Sequence, residues 1–419
     1  MVIAFRRFVL PVTALMLLHL PAHAEPSADG DAGAAKVLQV NTDFPGGSAK
    51  VLAIDRQDRL IRLNPSPHQD RGWAVWWYIH VRGITPGETI SLDVGDAPWA
   101  TPDRAAFSTD NVNWTQTATG QRDAIAKRIL YTQQIDAGEA WFAWGPPFLP
   151  QDTAKLFRWA VQQCPHAEPL ELCRTRQQRP VLALRIVEPG VPDEQRSGIW
   201  VQARQHAWES GSSWVCHGMI DWLVSDDPRA VRLRRQATIT FVPIMDVDNV
   251  TFGAGGKNQV PHDHNRDWTD RPYWPEVAAA MRQIKQQDAA GRFDLFIDLH
   301  NPGARSKHPF YYVTPRSLLR EPGPGNLDRF LLVSRLEMDG PLSYVGETEE
   351  SGPGYDAQWK TISKNWVSLN TRPHVVAVTL ETAWNTPHST TGGYQTLGRQ
   401  LGMAVERYLR TSPRAEATE

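Results

Sequence analysis

The stretch Gly198-Ile199-Trp200-Val201-Gln202-Ala203-Arg204-Gln205-His206-Ala207-Trp208-Glu209-Ser210 decides the fold. Residues 198–203 are apolar enough to form a buried strand, and a helical period follows at 213–224. Between the two stand an imidazole and a carboxylate. The same arrangement recurs downstream: the apolar run 294–299 is followed by His300, and the run 374–380 by Glu381. Further buried runs lie at 181–187, 237–244 and 309–314, with helical periods at 275–287, 326–337 and 398–409. Buried strands alternating with helices indicate an α/β layer architecture.

Upstream the pattern differs. Between residues 36 and 149, short β-type runs at 50–54, 73–81, 89–94 and 140–144 are separated by Gly, Pro, Asp and Asn. Trp73, Trp76, Trp77, Tyr78, Trp141 and Trp144 fall in these runs, where aromatic residues facing across two sheets would fill a sandwich core. An exposed aromatic binding strip is the alternative. Residues 150–180 read as a linker rich in Gln, Pro and charge, with one helical stretch at 153–163. The expected organisation is a β-sandwich over 36–149, an α/β domain over 150–412 and a tail over 413–419.

The 419 residues are 41% hydrophobic and 21% charged, which disfavours disorder and coiled coil. A balance of 44 Lys+Arg against 46 Asp+Glu, with no basic run, argues against a nucleic-acid partner. Arg6 and Arg7 precede an apolar stretch at 8–20, and Ala22-His23-Ala24 offers a cleavage point. Residues 1–24 therefore read as a signal peptide, 25–35 as a disordered mature N-terminus, and the mature protein as exported, periplasmic or secreted, without a membrane anchor. Export is compatible both with a Cys164–Cys173 disulfide and with free thiols, while Cys216 lies in an apolar setting.

In open α/β sheets the carboxyl ends of the strands form the ligand crevice, so His206, Glu209, His300 and Glu381 are expected to converge. His206 and Glu209 are three apart on a helical turn, and both can face one ion. Two neutral imidazoles and a carboxylate would leave Zn²⁺ a net positive charge and an open coordination position. Those are the conditions for acidifying bound water and polarising a carbonyl.

At this point the chain resembles the zinc carboxypeptidases, in particular their cytosolic carboxypeptidase subgroup. Residues 204–210 resemble the family's H-P-G-E zinc segment. Val242-Pro243-Ile244-Met245-Asp246-Val247-Asp248-Asn249-Val250 resembles its P-x-x-N-P-D-G-V element, and Asp263-His264-Asn265-Arg266-Asp267-Trp268 its D-x-N-R-x-W element. Asp298-Leu299-His300 and Thr379-Leu380-Glu381 look like the third-ligand and catalytic-glutamate motifs, in the family's order. Upstream, residues 41–47 and 141–148 resemble the sandwich that precedes the catalytic domain. The resemblance implies a carboxypeptidase-like α/β domain, with a mixed central sheet flanked by helices, after an all-β sandwich.

It also implies roles. One Zn²⁺ per chain would sit on His206, Glu209 and His300, with Asp263 orienting a ligand histidine. Glu381 would act as general base and then general acid. Asn265 and Arg266 would bind the terminal carboxylate of a peptide or protein substrate. Three departures are visible. Lys257 stands in for an arginine that stabilises the oxyanion. Thr348 stands where a substrate-facing tyrosine is expected, with Tyr344 and Tyr355 nearby. Asp246 and Asn249 replace the Asn and Gly of the N-P-D-G element. The segment 351–368, which carries Trp359, Lys360, Lys364 and Trp366, is expected to line the specificity pocket; an inward basic residue there would favour acidic side chains. Two other readings are a zinc amidase or esterase acting on acylated amino acids or cell-wall peptides, and a non-catalytic peptide-binding relative. The sequence does not give the oligomeric state.

Overall fold

Strand alternation in the upstream region sorts its side chains to two faces. In Glu88–Gly95, Ile90, Leu92 and Val94 are buried while Ser91 and Asp93 between them are half-buried, the two-residue period of a sheet with one covered face. The computed structural model describes residues 36–97 and 99–411. The signal-peptide, mature N-terminus and tail assignments lie outside these residues. Two five-stranded sheets form the upstream region. One contains Tyr78–Arg82 and Glu139–Ala143; the other contains Glu88–Gly95 and Arg128–Ile135. Trp77 meets Tyr131 across them at 6.2 Å between ring centroids and sits in the sandwich core, whereas Trp144 packs on Trp208 and Trp384 of the α/β region and Trp141 stacks half-buried on His80. Trp73 is exposed and lies edge-on to Trp99.

The downstream region is built on an eight-stranded mixed sheet. Its centre is four parallel strands in the order Ala237–Val242, Ser197–Ala203, Leu295–His300 and Val376–Glu381. Nearly every residue in them is buried, as a sheet covered on both faces requires. Antiparallel neighbours extend both edges: Pro180–Ile186 and then Ala167–Arg174 on one side, Phe310–Val313 on the other. Helices flank the sheet. Ser210–Leu223 and Thr391–Arg410 pack so closely that a Cβ on Gly218 would lie 2.1 Å from the Gln395 carbonyl oxygen, and one on Gly398 would lie 1.9 Å from that of Val215. Only glycine permits this backbone approach, which fixes the helix that begins immediately after Glu209.

All three cysteines are free thiols. The described residues from Val37 to Thr411 form one compact unit. The sandwich and the α/β region are joined by hydrogen bonds, among them Gly46 N to Thr251 O at 2.8 Å and Asp103 N to Asn385 Oδ1 at 2.7 Å.

Candidate metal centre and active site

His206 and Glu209 lie in the turn after Ser197–Ala203, and His300 is the last residue of the adjacent parallel strand. The turn is held by Arg204, which adopts the left-handed backbone region (φ 62°). Its buried guanidinium donates to the carbonyls of Ala207 (2.9 Å) and Phe148 (3.2 Å). Sheet pairing and this turn bring the three side chains together: their ligand atoms all lie within 4.8 Å of one another. Among the described residues no other set of His, Cys, Asp and Glu side chains converges in this way. His206 Nδ1 is 2.7 Å from Glu209 Oε1, His300 Nδ1 is 2.8 Å from Glu209 Oε2, and the two Nδ1 atoms are 3.2 Å apart.

The far sides of both imidazoles face carboxylates. His300 Nε2 is 3.0 Å from Asp298 Oδ2, which also accepts from Ser363 Oγ (2.6 Å) and from the Gln205 amide. Burial would lower the His300 pKa, but the Asp298 and Glu209 carboxylates hold it well above the usual histidine range. His206 Nε2 is 3.6 Å from Asp263 Oδ1, a charge contact too long for a hydrogen bond. Asp263 is itself held by the Asn258 amide at 3.1 Å. Burial would raise Asp263, but His206, Lys257 and Arg266 hold it well below the usual carboxylate range.

His206, Lys257, Asn265, Arg266 and Glu381 line one open pocket with a volume of about 50 Å³. Lys257 Nζ stands 3.3 Å from His206 Nε2. Asn265 Oδ1 accepts from the Ser363 amide at 2.9 Å, which leaves its own amide nitrogen 3.5 Å from His300 Nε2. Glu381 Oε2 is buried without a hydrogen-bond partner. Burial pushes this carboxyl up, the Glu209 charge adds to the shift, and His300 and Lys257 oppose it. Arg266 uses Nε and Nη2 on Asp356 Oδ2 (3.0 and 2.9 Å) and Nη1 on the Asn265 carbonyl (2.9 Å). A guanidinium has five N–H donors, so one remains on each terminal nitrogen.

Residues 155–391 match the family described as Zinc carboxypeptidase, more than half of the chain. The chain belongs to that family. As a zinc carboxypeptidase it falls in a class of metal-dependent hydrolases. An uncharacterized protein of Zymomonas mobilis is 27% identical over 274 residues, covering 64% of this chain and 68% of that one. Cytosolic carboxypeptidase 6 of Caenorhabditis elegans is 33% identical over 143 residues. That alignment covers 33% of this chain and only 30% of the relative. The crystal structure of a metallo-carboxypeptidase from Burkholderia cenocepacia superposes with a TM-score of 0.75 over 90% of this chain and 100% of the other, at 21% identity, and so shares the fold.

The donor set of this zinc carboxypeptidase fits the metal its family uses. Ligand nitrogens about 2.05 Å from a tetrahedral zinc lie about 3.3 Å from one another, and the two Nδ1 atoms stand 3.2 Å apart. With Nε2 of His300 hydrogen-bonded to Asp298, its Nδ1 lone pair can point inward, and the Asp263 charge near His206 Nε2 favours the same orientation of the second ring.

Several residues of the site had no clear signal in the sequence. Thr348 is exposed and lies outside the pocket, and Tyr344 is buried against Tyr311. Tyr355 lines the pocket, with Tyr312 beside it at 5.4 Å between ring centroids. Lys364 lines it too, and is the one lysine of the 351–368 segment to do so. It is fully buried, donates to Asn365 Oδ1, and is held well below the usual lysine range by burial.

Proposed function

We propose that the protein is a carboxypeptidase that hydrolyses the C-terminal peptide bond of peptides, with one zinc per chain held by His206, Glu209 and His300. The observation that carries this reading is the convergence of those three ligand atoms within 4.8 Å beside a pocket that also contains Glu381. Zinc bound there supplies Lewis acidity toward water and toward the scissile carbonyl. Glu381, whose unpartnered oxygen has no competing donor, accepts the proton of the attacking water. It then delivers that proton to the leaving amine nitrogen. The Lys257 ammonium faces the charge that develops on the carbonyl oxygen.

The two unused donors of Arg266 bind the terminal carboxylate, while Asp356 fixes the plane of the guanidinium. Restriction to a chain terminus follows, because an internal residue offers no such carboxylate. Tyr355, which lines the pocket, takes the place of the missing tyrosine at position 348. Lys364 favours an acidic C-terminal side chain: a carboxylate beside this buried amine restores the charged form that burial disfavours. The sequence of residues 1–24 supports export as the setting.

Product analysis of a peptide library differing only in the last residue, with and without a chelator, tests this reading. The expected result is release of single C-terminal residues, acidic ones fastest, abolished by chelation. Cleavage of N-acyl amino acids with no release from peptides would favour the amidase reading, and no turnover of either would favour a binding protein.

A further inference from the structure

The loop that carries Lys257 lies between two others. On one side the sandwich turn 70–73 pairs with it through the backbone: Gly256 N to Arg71 O at 2.8 Å, Trp73 N to Lys257 O at 2.9 Å, and Val260 N to Asp70 O at 2.9 Å. On the other side lies the metal-ligand turn, where Trp208 N donates to Gly255 O at 3.1 Å. A Cβ on Gly256 would meet Ala207 N at 2.8 Å, so the loop has no free space on that face. Gly72 is the point of closest approach. It has φ +87°, and a Cβ there would lie 2.3 Å from Lys257 O and 2.8 Å from Gly256 C. The Arg71 side chain reinforces the join, donating to Asn249 Oδ1 at 2.9 Å with its guanidinium 3.8 Å from the Phe252 ring centroid.

We infer that the sandwich turn around Gly72 is a positioning element of the active site, acting through the backbone of Lys257 to set where its ammonium stands. The sandwich thereby contributes to turnover without touching substrate. This rests on the role given to Lys257 above. A displacement of about 1 Å at a group that stabilises charge is enough to slow turnover strongly.

The test compares Gly72→Ala with Gly87→Ala in the full zinc-loaded chain. Gly87 is also a sandwich glycine at positive φ (+88°), but with nothing within 4 Å of its Cβ position, so it reproduces the backbone strain alone. Gly72→Ala is expected to lower kcat at least tenfold with KM within twofold. Its zinc content should stay at the wild-type level, while its Tm falls below that of Gly87→Ala by the cost of the added backbone contact. In a Lys257→Met background the same substitution should cost nothing further. Wild-type kcat in Gly72→Ala, or an undiminished fall in the Lys257→Met background, overturns the inference. Full activity of Lys257→Met alone instead removes the role of Lys257 on which the inference stands. If Gly72→Ala does not fold, Arg71→Ala replaces it under the same criteria, with an expected threefold or greater loss of kcat that Lys257→Met abolishes.

Discussion

His300 and Glu381 are register partners, the last residues of two neighbouring parallel strands. Sheet pairing alone therefore sets a candidate metal ligand beside the candidate base, on the edge where the turn bearing His206 and Glu209 also emerges.

Glu381→Gln separates proton transfer from metal binding. The amide keeps the shape of the side chain but cannot accept a proton from water. Zinc content is expected to be unchanged and kcat to fall by about 10²–10⁴-fold, the usual contribution of a general base. Steady-state kinetics with metal analysis on the same sample checks both.

Asp298→Asn tests the support of His300. Asp298 Oδ2 faces His300 Nε2 at 3.0 Å, and the amide removes the charge that holds that tautomer. Zinc affinity measured by competition with a chelator is expected to weaken about 10–100-fold, as for other carboxylates behind a metal-bound imidazole.

Lys364→Met tests selection of the terminal side chain. Loss of a buried charge partner costs a few kcal/mol, about 30-fold or more in rate. The expected outcome is that kcat/KM falls by this factor for peptides ending in Glu and much less for those ending in a neutral residue. An equal fall for both would assign Lys364 to folding rather than selection.

Acid stability is expected to depend on Glu188. It accepts from Arg234 Nε at 3.0 Å and Arg235 Nε at 2.8 Å. Burial would raise its pKa, but the two guanidinium groups pull it below the ordinary value. A carboxylate depressed in the folded state contributes stability above its unfolded pKa of about 4.3. That contribution is lost as pH falls through the folded value. Glu188→Gln leaves the buried Arg234 uncompensated and is expected to cost about 3 kcal/mol at pH 7. Denaturant melts should then show a smaller further loss between pH 5 and 3 than in the wild type.

The central strands were legible in the sequence because burial on both faces makes them continuous apolar runs, and the chemistry follows directly at their ends. The edges were harder. Ala167–Arg174 falls in a stretch that reads as a linker, because this edge strand is mostly exposed and therefore polar. The run 73–81 reads as one strand, yet only Tyr78–Arg82 is paired as one. The residues before it are used on other contacts, Trp73 on the Lys257 loop. The helix Pro228–Gln236 was missed because arginine obscures its apolar face, although Asp227 capping Arg229 N and Pro228 at its first position were readable signs. Tyr355 and Lys364 could not be assigned, since spacing does not say which way a loop side chain points.

Metal stoichiometry tests the central claim most directly. Elemental analysis of purified wild-type protein and of His206→Ala, Glu209→Ala and His300→Ala, after dialysis at equal protein concentration, is expected to give about one zinc per chain for the wild type and little or none for each variant. Undiminished zinc in any of the three folded variants would contradict the account.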